Sequence, residues 1–289
     1  RHLISTVEDI DFSGYKVALD CANGASFECA KLLFDSLGAK AEYICNTPDG
    51  CNINDGCGST HTQKLSEYVK NGGFDLGLAF DGDADRLLAV DENGTLVDGD
   101  KIMAICALEL RKQGKLKKDT VVATVMSNLG FFNALKANGI KYEQTTVGDR
   151  YVLENMLANG YCIGGEQSGH IIFLDYNTTG DGLMTAVRLT CALRDSGKKM
   201  SDLASVVEIL PQVLVNARIK NENKNTYMEN KEIAEAIRKI EEKFAGNGRV
   251  LIRPSGTEPL VRVMLEGKDK SEIKEEATAL AKMIEERLG

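Results

Sequence analysis

Short apolar runs separated by stretches of helical periodicity constrain this chain more than any other feature. Lys16-Val17-Ala18-Leu19-Asp20 reads as a buried strand, followed by the turn Ala22-Asn23-Gly24-Ala25, an apolar-periodic helix over about 26–37 and a second strand over 41–45. A Gly-, Asn- and Asp-rich loop over 46–60 leads to a helix near 63–71 and the apolar strand Leu76–Phe80. Strands that alternate with helices predict a parallel sheet with right-handed crossovers, because parallel neighbours cannot be joined by a tight hairpin.

After Asp98-Gly99-Asp100 the pattern restarts. It predicts helix 101–113, strand 120–125, helix 129–138, strand 141–145, helix 151–159, and strands around Cys162 and over 170–174. Beyond residue 208 the arrangement changes. Helix 231–244 sets Ile233, Ile237, Ile240 and Phe244 on one stripe, and helix 271–288 does the same with Ile273, Ala277, Leu280, Ile284 and Leu288. Strands 250–252 and 260–265 flank a turn between them, with a boundary near Leu210-Pro211. The expected architecture is two tandem three-layer α/β domains, residues 1–99 and 100–208, with mixed, mostly parallel sheets, and a C-terminal α+β domain, residues 209–289.

With 289 residues, 43% of them hydrophobic, the chain can bury several cores. A net charge of −8 disfavours a phosphate-tracking nucleic-acid surface, which needs lysines and arginines over a whole face, yet two or three local arginines still suffice for a small anion. No apolar run approaches the ~20 residues that span a bilayer, and Arg1-His2-Leu3-Ile4 has no signal-peptide core. The expectation is a soluble cytoplasmic protein without a membrane or nucleic-acid partner, starting without Met as a fragment would. Its eight cysteines include no C-x-x-C pair, so neither zinc nor redox spacing is present. They read as reduced thiols, with Cys51 and Cys57, in one loop, the pair to follow.

Three constellations carry chemistry. Directly after the strand Leu76–Phe80 stands Asp81-Gly82-Asp83-Ala84-Asp85-Arg86. Ligands of open α/β sheets bind beyond the carboxyl ends of strands, and three carboxylates this close repel unless a hard cation such as Mg²⁺ neutralises them. An EF-hand reading fails at the sixth position, where Arg86 replaces the required glycine. A haloacid-dehalogenase-type phosphatase would want a Thr where Ala84-Asp85-Arg86 stands, and a solvated acidic turn stays open. The second constellation is Gly164-Gly165-Glu166-Gln167-Ser168-Gly169-His170, where Glu166 and Ser168 can accept from sugar hydroxyls, although a plain strand-to-strand turn would serve the same residues. His170 alone reads as structural. The third is Arg253-Pro254-Ser255-Gly256-Thr257-Glu258-Pro259 with Arg262, two arginines and two hydroxyls on a Gly-containing turn, which suits a phosphate nest or an ordinary surface loop. A phosphorylated sugar is the ligand that would use all three.

These three segments, in this order, resemble the α-D-phosphohexomutase family over essentially the whole chain. Gln167, with Thr146-Val147-Gly148-Asp149-Arg150-Tyr151-Val152 and Asn177-Thr178-Thr179-Gly180-Asp181-Gly182, looks like the branch that acts on glucosamine phosphates. The resemblance implies that Asp81, Asp83 and Asp85 bind Mg²⁺, that Arg86 lies beside the phosphoryl group in transit, and that Glu166 and Ser168 hold sugar hydroxyls. It implies that Arg253, Ser255, Gly256, Thr257 and Arg262 grip the non-reacting phosphate, and that the C-terminal domain is TATA-box-binding-protein-like. The implied reaction interconverts glucosamine 6-phosphate and glucosamine 1-phosphate through a bisphosphate, for amino-sugar nucleotide and cell-wall precursor synthesis. Glucose or mannose phosphates, and a noncatalytic sugar-phosphate or partner-binding module, are the alternatives; a homodimer is an assembly left open. Family members also carry a phosphorylatable serine in a Ser-His-Asn type loop on a preceding domain. Gly58-Ser59-Thr60-His61-Thr62 is the nearest segment here, and Ser59 and His61 read as structural, so this chain alone is expected to show no turnover and to bind Mg²⁺ weakly.

Overall fold

Strand β1 (Lys16–Asp20) lies between β2 (Lys40–Ile44) and β3 (Leu76–Phe80), parallel to both, and β4 (Leu87–Asp91) and β5 (Leu96–Val97) extend the sheet antiparallel beyond β3. The computed structural model describes residues 2–7, 10–223, 226–256 and 258–289; Thr257, expected at the phosphate loop, lies outside the described residues. All five residues of β3 are buried, as a strand covered on both faces requires, whereas β2 carries Lys40 and Glu42 on a half-exposed edge. The period of two decides which side chain goes where. Val17 and Leu19 point into a core with Ala30, Leu33 and Phe34 of helix α2, and Ala18 points the other way, against Leu65 and Val69 of α3. The helices of this region are α1 (His2–Ser5), α2 (Ser26–Ser36) and α3 (Gln63–Gly72).

The second sheet repeats the theme in the order β7-β6-β8-β9, from β6 (Thr120–Thr124), β7 (Lys141–Thr145), β8 (Ile163–Gly165) and β9 (Ile171–Phe173). Only the β8–β9 pairing is antiparallel. Around it lie α4 (Gly99–Lys112), α5 (Leu129–Ala137), α6 (Asp149–Asn159), α7 (Gly182–Ser196) and α8 (Met200–Ala204). The carboxylates of Asp98 and Asp181 cap α4 and α7 by accepting from the Lys101 and Met184 amides, satisfying amides that the helix itself leaves without partners. One hydrophobic cluster runs through both sheets, from Val17 and Leu78 to Val121 and Leu189, so the two α/β halves share a core. Helix α7 was not read from the sequence. Ten of its residues are buried, on more than one face, so the polar stripe that would mark an amphipathic helix is missing.

By contact density the chain forms two units. One runs to Ser127 and resumes from Phe131 to Glu208; the other comprises Asn128–Gly130 and Ile209–Gly289. The second unit holds an antiparallel sheet, β10 (Gln212–Arg218), β12 (Leu260–Gly267) and β11 (Gly248–Pro254) in that order, under α9 (Lys231–Lys243) and α10 (Lys270–Leu288). The stripes read from the sequence form its core: Ile233, Ile237 and Ile240 with Ile273, Ala277, Leu280 and Ile284 against Val261, Val263 and Leu265. Strand β10 was also missed; its buried residue is Ala217, and Gln212, Leu214, Asn216 and Arg218 are exposed.

Candidate functional site

The aspartates ride on the β3–β4 hairpin. Phe80 pairs with Leu87, and the residues between close on themselves when the Arg86 amide donates to Asp81 Oδ1 at 3.1 Å. Ala84 sits at φ +61°, a left-handed conformation that costs a residue with a Cβ about 1–2 kcal/mol. It is held there by the Gly182 amide, which donates to the Ala84 carbonyl at 2.9 Å. Gly82 packs so tightly on Gly24 that a Cβ at position 24 would lie 2.4 Å from the Gly82 oxygen. The loop is therefore built, not slack.

Asp81 is half-buried, and lost solvation pushes its carboxyl above the ordinary range; the neighbouring Asp85 carboxyl adds to this, and the Arg86 amide and guanidinium oppose it. Asp83 and the Arg86 side chain are exposed. The three carboxylates do not converge as tightly as a metal shell: among the described residues, the trio of potential ligands lying within 4.8 Å of one another is Asp20, Cys45 and Cys57. Asp81 and Asp85 do lie side by side, each carboxyl within reach of the other.

The Glu166–His170 turn joins β8 to β9 and packs onto this hairpin. The Leu87 amide donates to the Gly169 carbonyl at 3.1 Å, and Gly169 adopts φ +93° where a Cβ would lie 2.3 Å from the Leu87 oxygen. His170, buried, makes the decisive contact. Its Nε2 receives the Gly180 amide at 3.0 Å, so that nitrogen must offer a lone pair; Nδ1 then carries the hydrogen and donates to Asp85 Oδ2 at 3.1 Å. The sequence reading left His170 as structural; it is the residue that fixes one aspartate of the acidic loop. Its signal was only proximity to Glu166 and Ser168, and nothing in the spacing says that it reaches Asp85.

Glu166 is half-buried and Ser168 exposed. The Gly148 amide donates to Glu166 Oε1 at 3.1 Å, and the Ser168 hydroxyl stands 3.5 Å from Oε2, so both lie together with spare acceptor capacity. Gln167 turns inward instead: its side chain donates to Asp98 Oδ2 at 3.3 Å and its carbonyl accepts from the Gly99 amide at 3.0 Å. Ser59 is buried, and its amide donates to the Phe80 carbonyl at 2.8 Å; His61 Nδ1 lies 3.1 Å from the Thr60 hydroxyl.

In the second unit, Arg253 and Arg262 are Cα partners across β11 and β12, which puts both side chains on one face of the sheet. Like charges directly opposite are unfavourable unless an anion lies between them, and Glu258 only partly relieves this, 3.6 Å from Arg262 Nη2. The Ser255 hydroxyl, buried at the turn, accepts from the Glu258 amide at 3.2 Å, and Gly256 is exposed beside it.

Comparison with known proteins covers nearly the whole chain. Three domain profiles of phosphoglucomutase/phosphomannomutase match it: alpha/beta/alpha domain II at residues 2–94, alpha/beta/alpha domain III at 98–209 and the C-terminal domain at 214–283. A phosphoglucosamine mutase of Acetivibrio thermocellus is 60% identical over 96% of this chain and 62% of its own length. One from Alkaliphilus oremlandii is 59% identical over 99% of this chain and 64% of its own length. The chain thus spans a little under two thirds of these relatives. Among solved structures, Aspergillus fumigatus N-acetylphosphoglucosamine mutase in complex with GlcNAc-6P and magnesium superposes with TM-score 0.80 at 20% identity, over 100% of this chain and 64% of that one. A phosphoglucomutase/phosphomannomutase family protein from Burkholderia thailandensis gives TM-score 0.76 at 20% identity, over 100% of this chain and 64% of that one. These two establish the fold.

Proposed function

The chain belongs to the phosphoglucomutase/phosphomannomutase family, whose domains II, III and IV it carries, and on that premise we propose that it holds the cation, sugar and distal-phosphate loops of a cytoplasmic phosphoglucosamine mutase. The whole protein would interconvert glucosamine 6-phosphate and glucosamine 1-phosphate, with a phosphoserine outside these loops as the group that donates and recovers the phosphoryl. The single observation that carries the reading is the Asp85–His170 contact, 3.1 Å, together with the Leu87–Gly169 hydrogen bond: the acidic loop and the Glu166 turn are one structure.

Asp81, Asp83 and Asp85 would hold Mg²⁺; oxygen donors alone, one of them half-buried against another carboxylate, suit a hard divalent ion. That ion, when bound, would neutralise charge on the transferring phosphoryl group. Arg86 would lie beside the same group. Glu166 and Ser168 would accept from the sugar hydroxyls, and Arg253, Ser255, Gly256, Thr257 and Arg262 would hold the phosphate that does not react. Such a transfer is mostly positioning and charge neutralisation, which a set of rigid loops can supply.

The test is phosphorus NMR of hexose 6-phosphates titrated against this chain with Mg²⁺. Saturable shifts are expected, larger for glucosamine 6-phosphate than for glucose or mannose 6-phosphate, and abolished in Glu166→Ala. No saturation by any of the three overturns the proposal; equal response to all three removes the amino-sugar assignment.

A further inference from the structure

Asp20 ends β1, Cys45 follows β2 directly and Cys57 lies in the loop after it, and one potential ligand atom from each lies within 4.8 Å of the other two. Eleven residues separate the cysteines, a spacing that no metal or redox pattern flags. Asp20 and Cys57 are 0% and 1% exposed, and Cys45 stands at the half-exposed rim. The Asp20 carboxylate is oriented by two amides, Ala22 on Oδ1 and Gly58 on Oδ2, each at 2.9 Å. Outside this trio, Asn23 Nδ2 lies 3.9 Å from Cys57 Sγ and the exposed Lys64 ammonium 3.3 Å from Cys45 Sγ. Lys64 can only donate, so Cys45 sulfur is its acceptor.

We propose that Asp20, Cys45 and Cys57 form a site for a thiophilic divalent cation, Zn²⁺ by its donor set, separate from the oxygen-only aspartate loop. Two sulfurs and one carboxylate oxygen suit zinc at ordinary bond lengths of about 2.0–2.3 Å, with the fourth position left to water on the open Cys45 side. Charge supports the choice. Two thiolates and a carboxylate around a doubly charged ion leave one negative charge, and the Lys64 ammonium neutralises it from outside the ligand shell while donating to Cys45 sulfur. Each Zn–S bond forms as the thiol proton leaves to solvent. Because both sulfurs bind as thiolates, protons compete with the metal and affinity falls as the pH is lowered.

The experiment is calorimetric titration of Zn²⁺ into the reduced, chelator-treated chain, with Co²⁺ absorbance as the second reading. One ion per chain is expected, with a thiolate-to-cobalt charge-transfer band and no displacement by excess Mg²⁺. Cys45→Ser, at the half-exposed position and so the variant least prone to unfold, should abolish the band, as should Cys57→Ser. Lys64→Ala should weaken Zn²⁺ about 10–100-fold, with Lys64→Arg restoring most of it. Absence of binding to the parent chain, or binding unchanged in Cys45→Ser or in Lys64→Ala, overturns the proposal, since exposed Cys29, Cys51 or His61 would then be holding the metal.

Discussion

Replacing His170 separates two jobs that the imidazole performs at once. In His170→Ala the buried Gly180 amide loses its acceptor, at a cost of about 1–3 kcal/mol for an orphaned buried donor, and the Asp85 carboxylate loses the hydrogen bond donated by the imidazole, a bond to a charged group worth about 1.5–3 kcal/mol in full burial. The Asp85 side chain is 39% exposed, so the second figure is discounted toward 1 kcal/mol. Adding the void left by the ring gives a total of about 3–5 kcal/mol. Two conservative variants divide the sum. Asn places an amide nitrogen near the Nδ1 position and keeps the Asp85 contact, whereas Gln can place its oxygen near Nε2 and keep the Gly180 contact, so each should recover about 1 kcal/mol relative to Ala. The assay is guanidinium unfolding followed by circular dichroism, read as a lower midpoint at unchanged slope. Titration of glucosamine 6-phosphate with Mg²⁺ then tells the variants apart, because only His170→Asn keeps Asp85 in place. An Ala variant within about 0.5 kcal/mol of the parent would refute the assignment of both hydrogen bonds.

Arg262→Ala, a partly exposed change, should weaken sugar-phosphate binding by about 1.5 kcal/mol without lowering the unfolding midpoint, measured by calorimetry; unaltered affinity would remove the anion face. Burial raises the Asp98 carboxyl pKa, so the native state binds a proton more readily than the unfolded one; the stabilisation is complete below the unfolded value and is lost as pH rises through the raised folded value. Asp98→Asn, which still caps α4, should therefore gain on the parent in unfolding free energy as pH rises above the ordinary carboxylate range, and a gap independent of pH would contradict this. A polypeptide of these 289 residues should show no isomerisation of glucosamine 6-phosphate in a coupled assay and should bind Mg²⁺ only weakly by calorimetry; measurable turnover would count against a phosphoserine outside these loops, and tight stoichiometric Mg²⁺ against a metal site that needs a further ligand from that phosphoserine.

What could be read in the sequence was whatever is local. The run Leu76–Phe80 is apolar at every position because the strand is covered on both faces, and the acidic turn beyond it is where such strands deliver ligands. The isoleucine stripes of α9 and α10 became the second core because helical periodicity survives folding unchanged. Contacts between segments distant in sequence were not legible. His170 reaches Asp85 across 85 positions, and its tautomer is set by Gly180, ten residues further on, so neither partner marks the other by spacing. Helix α7 was hidden for the opposite reason: burial on several sides erased the polar stripe that would have declared it. Cys57 was paired by sequence with Cys51, in the same loop; in the fold it lies instead beside Cys45, at the end of β2, and Asp20, at the end of the parallel β1, because the Gly58 amide ties its loop to Asp20.

That last point follows from topology. Because β1 runs parallel to β3, Asp20 and Asp81 emerge at the same edge of the sheet, and the loop carrying Cys57 ties the two together: the Gly58 amide bonds Asp20 and the Ser59 amide bonds the Phe80 carbonyl, one residue before Asp81. The two cation sites proposed on this edge would be confused if they differed only in position. They differ in donor chemistry. Oxygen-only ligands at the aspartate loop suit a small, hard ion that sheds water reluctantly, whereas sulfur beside a buried carboxylate suits a borderline-soft one. Zn²⁺ held at the thiol pair would therefore leave the acidic loop free for Mg²⁺.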